Sequence, residues 1–283
     1  MKRNAIRASL FCLILTSPGS VVSAEPSGFI VEAGTLQRLD IATGARTSIG
    51  DIGYDVKALA FDARGQLFAT DGLELMTLDT AVGSAEVTAL LQSTFVTVAG
   101  MTFDLTDALW VSGETTTGEE GLFQIDADTG EVTKISSLAL SALAARGNRL
   151  YAVSEDLVVI DPSPYSEETL GNGFETWADP GTFGPFRNGS GADFDSSGRL
   201  WGVLDLRLEV DPPSAFSEIA RFDDSGRLTN TFVDHTYGRD LYGLAIAPAV
   251  TEVPTLGPRS LGFLALLLAL AGLKAQRARI STR

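Results

Sequence analysis

Short apolar segments separated by Gly- and Asp-bearing turns run along most of the chain. One phrase joins an apolar segment, a tight turn and a second apolar segment. Its copies occupy residues 58–70, 101–112, 142–153 and 192–203, with a half-copy at 241–248. The partner missing from the half-copy is predicted at residues 28–33. Apolar runs of this length, bounded by turn residues, are typical of β-strands, so the pattern predicts an all-β fold.

A second phrase follows the first, a strand that ends in Asp and a Gly-type turn. It is clear at residues 36–44, 75–83 and 122–130 and weaker at 157–162 and 219–226. A Thr- or Val-bearing strand comes next, as at residues 131–135. Each unit therefore contains four short strands.

The spacing of the units predicts the architecture. Equivalent positions recur every 42 to 52 residues, at Phe61, Phe103, Ala145, Phe194 and Ile246. A period of about 40–50 residues with four strands is typical of a β-propeller blade. Residues 25–250 are therefore predicted to form a propeller of five blades, closed by the N-terminal strand. A β-sandwich would not explain the recurring Phe-Asp-x-x-Gly-x-Leu-Trp phrase.

Residues 163–191 are rich in Pro, Gly and aromatic residues and are predicted to form an irregular insertion in the fourth unit. A degenerate sixth blade hidden there is the alternative. The aromatic side chains of Trp177, Phe183 and Phe186 either contact a ligand such as a sugar or pack the insertion onto its own blade.

The repeated phrases resemble the blades of many bacterial propellers, including quinoprotein-like and gluconolactonase-like groups. The second resemblance implies a calcium ion at a central channel, held by acidic and amide side chains. Asp62, Asp104 and Asp193 lie near the ends of corresponding strands and are the candidate ligands. The Asp-rich turns at residues 126–131 and 193–198 are similar to the start of calcium-binding loops but lack the third ligand and the distal Glu of an EF-hand. Turn chemistry repeated in each blade is the simpler interpretation, since Asp side chains bond to nearby backbone N–H groups.

The N-terminus has the organisation of a secretory signal. A basic start with Lys2, Arg3 and Arg7 precedes an apolar run at residues 8–15 and the small-residue sequence Val-Ser-Ala ending at Ala24. This pattern predicts a signal peptide over residues 1–24, cleaved after Ala24.

The C-terminal residues 251–283 combine a Pro-containing motif, an uncharged run at 260–273 and a basic end. The run is shorter than the roughly 20 residues that cross a bilayer unaided, but an extension to Thr255 makes it long enough for a transmembrane helix with a cytoplasmic basic end.

The motif itself, Val253, Pro254, Thr255 and Leu256, resembles the Ile-Pro-Thr-Leu variant of PEP-CTERM-type sorting signals in Gram-negative bacteria. That resemblance implies processing by an exosortase-like protease after transient anchoring in the inner membrane, followed by transfer to the cell surface or release.

Charge and composition exclude several classes of function. The chain has 36 acidic and 21 basic residues, and the two terminal segments hold 8 of the basic residues but only one acid, which leaves 35 acids and 13 bases in residues 25–250. An acidic middle domain repels phosphate backbones, so nucleic acid is not a predicted partner. Cys12 lies in the signal and His235 is the single histidine, so no zinc or copper site of ordinary composition and no cysteine nucleophile is predicted.

The sequence therefore predicts an exported, non-enzymatic binding module without a cofactor, whose partner is a matrix polysaccharide or an envelope protein. The alternative is a calcium-dependent, gluconolactonase-like hydrolase that uses the central channel.

Overall fold

The computed structural model describes residues 27–138, 140–153, 157–171, 187–208, 214–223, 228–233 and 241–248. These residues form twenty β-strands, and no helix occurs within the described ranges. The first ten strands are β1 (Ser27–Glu32), β2 (Thr35–Asp40), β3 (Arg46–Asp51), β4 (Ala58–Phe61), β5 (Leu67–Thr70), β6 (Glu74–Leu78), β7 (Ala85–Leu90), β8 (Phe95–Phe103), β9 (Leu109–Thr115) and β10 (Glu120–Ile125). The others are β11 (Val132–Ser136), β12 (Ala142–Arg146), β13 (Arg149–Val153), β14 (Leu157–Pro162), β15 (Tyr165–Gly171), β16 (Arg187–Phe194), β17 (Leu200–Leu208), β18 (Ser214–Phe222), β19 (Leu228–Val233) and β20 (Leu241–Ile246).

The strands form five antiparallel sheets of four, and each sheet is one blade of a propeller. Blade 1 has the order β20-β1-β2-β3, while blades 2 to 5 are β4–β7, β8–β11, β12–β15 and β16–β19. The first strand of each blade contacts the first strands of its neighbours, which places β20, β4, β8, β12 and β16 around the centre of the ring. The predicted five-bladed propeller is confirmed.

The ring closes through the N-terminal strand, as the half-copy predicted. In blade 1, β1 pairs with β20, with Phe29 opposite Ala245 and Gly28 opposite Ile246. A backbone hydrogen bond of 2.9 Å from the Ala247 N–H to the Ser27 carbonyl continues this pairing. The edges of β20 and β1 that face each other are therefore both paired.

Aromatic residues recur at one position on the second strand of every blade: Phe29, Phe68, Trp110, Tyr151 and Trp201. Three of them pack against the Phe that ends the next inner strand, with ring centroids 5.5 Å apart for Phe29–Phe61, 5.0 Å for Phe68–Phe103 and 4.9 Å for Tyr151–Phe194. Alternating side chains on both faces of each blade build the apolar layers between blades. Burial of each large side chain stabilises the fold by about 1.5–3 kcal/mol.

Glycine lets the inner strands approach one another closely. A Cβ atom on Gly191 of β16 would collide with the backbone of Gly243 and Leu244 on β20. A Cβ atom on Gly100 of β8 would lie 2.5 Å from the backbone nitrogen of Leu143 on β12. The centre of the ring is therefore narrow because backbone, and not side chains, forms these contacts.

The predicted insertion at 163–191 is wrong in its extent. Strand β15 begins at Tyr165 and completes blade 4, and strand β16 begins at Arg187 and opens blade 5. The alternating pattern there was obscured by polar residues on an outer strand and by Gly189 and Gly191. Residues 172–186 with Trp177, Phe183 and Phe186 lie outside the described residues, as do Ala24, His235 and Val253–Leu256. Within the described ranges no helix is long and apolar enough to span a bilayer.

Candidate functional site

One face of the ring carries the turns that follow each inner strand and the turns between the third and fourth strands. We call it the turn face, and it includes residues 62–66, 104–108, 126–131 and 195–199. Two groups of residues on or near this face are candidates for binding or catalysis. One is a set of buried carboxylates, and the other is a groove between blades 2 and 3.

Asp62 stabilises the turn of its own hairpin. Its Oδ1 atom accepts hydrogen bonds from the backbone N–H of Arg64 at 2.9 Å and of Gln66 at 2.7 Å. Its Oδ2 atom accepts from Nε of Arg64 at 2.9 Å. Both oxygens of this buried carboxylate are thus bound within the hairpin.

Asp104 has the same arrangement in blade 3. Its Oδ1 atom accepts from the N–H of Thr106 at 2.7 Å and of Ala108 at 3.1 Å, and the Thr106 hydroxyl donates to it at 2.6 Å. Its Oδ2 atom accepts from the indole N–H of Trp110 at 3.0 Å. The carboxylate thereby fixes both the turn and the repeated aromatic residue.

Asp195, and not Asp193, is the equivalent residue in blade 5. It accepts from the N–H groups of Ser197 and Arg199 and from the indole N–H of Trp201, at 2.9 to 3.0 Å. Burial acts to raise the pKa of Asp195, but the hydrogen bonds from Ser197 and Trp201 hold it below its usual value. Sequence reasoning passed over this residue, although the Phe-Asp phrase at 194–195 marks it.

Asp193 lies two residues earlier, on the inner strand β16. The Phe194 N–H donates to its Oδ1 atom at 2.7 Å, and the Ile246 N–H donates to its Oδ2 atom at 2.7 Å. Because the Ala247 N–H points to β1, the Ile246 N–H points to the other side of β20, toward the centre of the ring. Asp193 therefore links the inner strands of blades 5 and 1.

The environment of Asp193 raises its pKa from 3.8 to about 7, because burial outweighs the hydrogen bonds from Ile246 and Phe194. The other blades have Ala60, Thr102, Ala144 and Ala245 at this position. Blade 5 thus carries a carboxylate where the repeat otherwise has a small side chain.

The described part of the chain contains no group of three or more acidic, His or Cys side chains that could hold a metal ion. Calcium takes six to eight oxygen ligands. The oxygens of Asp62 and Asp104 already accept hydrogen bonds in their own turns. Asp193 lies at a different position, within the inner strand β16. These three residues do not converge on a common site, so the calcium role for them stays a prediction that this geometry does not favour.

A groove of about 690 Å³ opens on the turn face between blades 2 and 3. We call it the blade 2–3 groove. Its floor contains Phe68, Phe103 and Ile125, and Gln66 and Thr77 of blade 2 line one wall. Charged residues line its rim, namely Arg64, Asp107, Asp126, Asp128 and Glu131. A partly apolar floor below a polar rim, at this volume, is typical of small-ligand sites.

Two contacts connect the parts of the rim that belong to blades 2 and 3. The Arg64 guanidinium lies 3.6 Å from Oδ2 of Asp107, and the N–H of Ala63 donates to Oδ1 of Asp107 at 3.4 Å. Hydrogen bonding and charge from Asp62, followed by the charge of Asp107, raise the pKa of Arg64. Asp107 has a φ of 66°, in the turn position where blades 2 and 5 have Gly65 and Gly198. A left-handed backbone at a non-glycine residue is unusual and marks the rim as a specialised position.

Two of the rim acids are not paired in the described part of the structure. Asp126 accepts bonds from the N–H groups of Asp128 and Thr129, and contacts with Thr129 chiefly lower its pKa. The carboxylates of Asp128 and Glu131, in contrast, form no ion pair with any described residue. The sequence drew attention only to residues 126–131 of this rim, as an incomplete Asp-rich calcium loop. It did not predict the groove, which depends on how two blades meet.

No family model matches the chain, and no curated protein matches it in sequence. Several solved structures are similar to parts of the chain. It is similar to regucalcin, a calcium-binding protein from Agrobacterium tumefaciens, with 17% identity, a TM-score of 0.41, and coverage of 70% of this chain and 66% of that one. A protein of unknown function from Bacteroides thetaiotaomicron has 14% identity and a TM-score of 0.47, with coverage of 63% and 53%.

A gluconolactonase from Xanthomonas campestris has 13% identity and a TM-score of 0.45, with coverage of 72% of this chain and 73% of that one. The chain spans less than two thirds of the first two structures. At these identities the likeness concerns the fold alone.

Proposed function

We propose that this propeller is an exported binding module and that the blade 2–3 groove is its ligand site. The observation that carries the proposal is the combination of an aromatic floor, Phe68 and Phe103, with polar and charged groups at the rim. Such a surface contacts a sugar ring or a similar amphipathic group on its apolar face and binds its polar groups at the edge. A matrix polysaccharide is the proposed partner, and an envelope protein is the alternative.

The proposed cellular address comes from the two ends of the sequence. Residues 1–24 direct export, and residues 251–283 with the Val253–Leu256 motif direct processing by an exosortase-like protease at the inner membrane. The propeller then reaches the cell surface or the medium. The acidic composition, with 36 acidic against 21 basic residues, supports a role outside nucleic-acid binding.

Binding of purified protein to a panel of soluble and insoluble polysaccharides tests the proposal. The full chain is compared with the variant Thr77→Tyr, which fills the groove with a residue that strands tolerate well. Sedimentation with at least one polysaccharide, reduced in the variant while its melting temperature is retained, is the expected result. Equal sedimentation of both proteins would show that the groove is not the site.

A calcium-dependent hydrolase is the second candidate, favoured by Asp193. A carboxylate with a pKa of about 7 near the centre of the ring can take up and release a proton at neutral pH, as a general acid or base must. The similar structures include proteins described as calcium-binding and as a gluconolactonase, which agrees with the prediction made from the repeats.

Two measurements separate the candidates. A hydrolase of this type should melt at a higher temperature in calcium than in a chelator, since a site-specific ligand stabilises the folded state. It should also hydrolyse a sugar lactone at a rate that falls strongly in Asp193→Asn. Calcium-independent melting together with no lactone hydrolysis leaves the binding module as the function.

A further inference from the structure

In some of the grooves between blades, an Arg side chain of the protein lies over the aromatic ring. In others, no such contact occurs among the described residues. In blade 1, the guanidinium carbon of Arg38 lies 6.0 Å from the ring centroid of Phe29. In blade 5, that of Arg221 lies 5.9 Å from the ring of Trp201. The strand pairing places each Arg directly opposite its aromatic partner, on the third strand of the blade.

The equivalent residue in blade 2 is Thr77, opposite Phe68. Phe68 is buried and Phe103 is half-buried, and no cation–π contact to either ring occurs among the described residues. Blades 3 and 4 carry Gln124 and Val159 at this position, so the Arg is present in two of the five blades. A groove of about 690 Å³ opens beside Thr77.

The groove between blades 4 and 5 provides a contrast. It is smaller, about 250 Å³, and is lined mainly by apolar residues such as Leu157, Leu200 and Phe222. Arg146, at the end of strand β12, places its guanidinium 5.8 Å from the ring of Phe194. This groove therefore holds a cation of its own, as the blade 1 and blade 5 aromatics do.

Electrostatics at the rim of the blade 2–3 groove favour the same kind of ligand. Four carboxylates, those of Asp107, Asp126, Asp128 and Glu131, face a single cation, Arg64. Asp107 forms an ion pair with Arg64, and the charge of Asp128 also acts on Arg64, but neither Asp128 nor Glu131 is within ion-pair distance of a described cation. An aromatic floor and an excess of carboxylates both attract a positive charge and repel an anion.

We propose that the blade 2–3 groove binds an amine-bearing oligosaccharide, whose ammonium group takes the place that Arg38 and Arg221 occupy in blades 1 and 5. This inference rests on the proposed function and specifies its ligand class. The size of the groove suits a short oligosaccharide and is small for a protein interface. Gln66 and Thr77 on the wall supply an amide and a hydroxyl for sugar hydroxyl groups.

The test is calorimetric binding of a glucosamine tetramer and of its N-acetylated counterpart to the full chain at about pH 5, where most of the free sugar amines carry a proton. Two variants report on the groove. Thr77→Arg introduces the guanidinium that blades 1 and 5 carry, and Asp128→Asn with Glu131→Gln removes the unpaired rim charges without touching the core. Thr169→Arg and Glu168→Gln, on the exposed strand β15, are the matched controls.

We expect the amine tetramer to bind and the acetylated tetramer to bind at least about tenfold more weakly. Both groove variants should lose affinity for the amine tetramer to a similar degree, added salt should weaken binding, and the controls should match the wild type. If the two tetramers bind equally and Thr77→Arg abolishes both, the charge inference fails while the groove remains a glycan site.

Binding that neither groove variant alters would overturn this inference and also the proposed location of the site. Tighter binding of a Lys-rich peptide than of the amine tetramer, lost in the same variants, would overturn the glycan assignment in favour of a protein partner. The rim variant keeps the test decisive if Thr77→Arg fails to fold, because Asp128 and Glu131 are exposed.

Discussion

The carboxylate of Asp193 on strand β16 accepts a hydrogen bond of 2.7 Å from the backbone N–H of Ile246 on strand β20. These residues are 53 positions apart and belong to the blades on either side of the seam where the ring closes. The bond is therefore a direct link between the fifth blade and the first, made by a side chain that the other blades lack.

Burial of the Asp193 carboxyl, which raises its pKa against the opposing effect of the Ile246 bond, predicts a pH-dependent contribution to stability. Since the folded-state pKa is raised from 3.8 to about 7, the folded protein holds a proton that the unfolded chain releases. The contribution is fully present below about pH 4 and is lost as the pH rises through 7. The limit set by this shift is about 4 kcal/mol.

Urea denaturation of wild type and Asp193→Ala at pH 5 and pH 8 measures this contribution to the free energy of unfolding. The alanine variant loses the bond to Ile246, so it should be less stable at pH 5, and the difference should shrink at pH 8. Glu168→Gln, on an exposed strand, serves as the control with a constant difference. A loss in Asp193→Ala that is independent of pH would contradict the prediction.

Replacement of Asp104 by Ala should destabilise the protein by about 3 kcal/mol, because it leaves the indole N–H of Trp110 and two turn N–H groups without acceptors. Asp126→Ala removes a similar set of turn bonds at an exposed site and should cost less. Urea denaturation of both variants gives the comparison. Because the prediction assigns Asp104 a turn role, the loss should be the same with calcium and with a chelator.

Asp107 should respond differently to Gly and to Ala. Its φ of 66° favours glycine, so Asp107→Gly relieves backbone strain while it loses the contacts with Ala63 and Arg64. Asp107→Ala loses the same contacts and keeps the strain, which costs about 1–2 kcal/mol for an L-residue. The Gly variant should therefore be more stable than the Ala variant by about 1 kcal/mol in thermal or urea unfolding. Equal stability of the two variants would remove the argument from strain.

Gly191→Ala should prevent normal closure of the ring. Its new methyl group would collide with the backbone of Gly243 and Leu244, and this backbone cannot move without disrupting the β20–β1 pairing. A loss above about 3 kcal/mol or failure to fold is expected. Gly28→Ala, whose nearest contact is a side-chain methyl of Ile41 at 3.1 Å, should cost clearly less. Circular dichroism and melting of both variants test the difference.

Deletion of residues 251–283 should change where the protein accumulates. If the motif at Val253–Leu256 is a sorting signal, the truncated chain should remain in the periplasm, while the full chain reaches the surface or the medium. Fractionation with an antibody to the propeller measures the distribution. An unchanged distribution would show that the tail does not direct sorting.

The number of blades could be predicted from the sequence because each blade repeats one spacing of apolar strands and turn residues. The roles of the acids could not, since Asp62 and Asp104 read equally well as ligands or as turn residues until their hydrogen-bond donors are located. Asp193 and Asp195 were confused for the same reason, because both lie in one Asp-Phe-Asp sequence.

The groove could not be predicted from the sequence, for a different physical reason. Thr77 lines it at the position where blades 1 and 5 carry Arg38 and Arg221, and this equivalence appears only when the strand registers are known. Once the blades are aligned, the exchange of Arg for Thr is a signal that can be read directly.

The pairing of β1 with β20 also sets the order in which the fold can be completed. Strand β1 is the first of the described strands along the chain and its inner partner is the last, so blade 1 retains an open edge until the rest of the ring is in place. A nascent or truncated chain that ends before Leu241 exposes a strand edge that can pair with another molecule. Closure is therefore also the step at which the chain stops being prone to self-association.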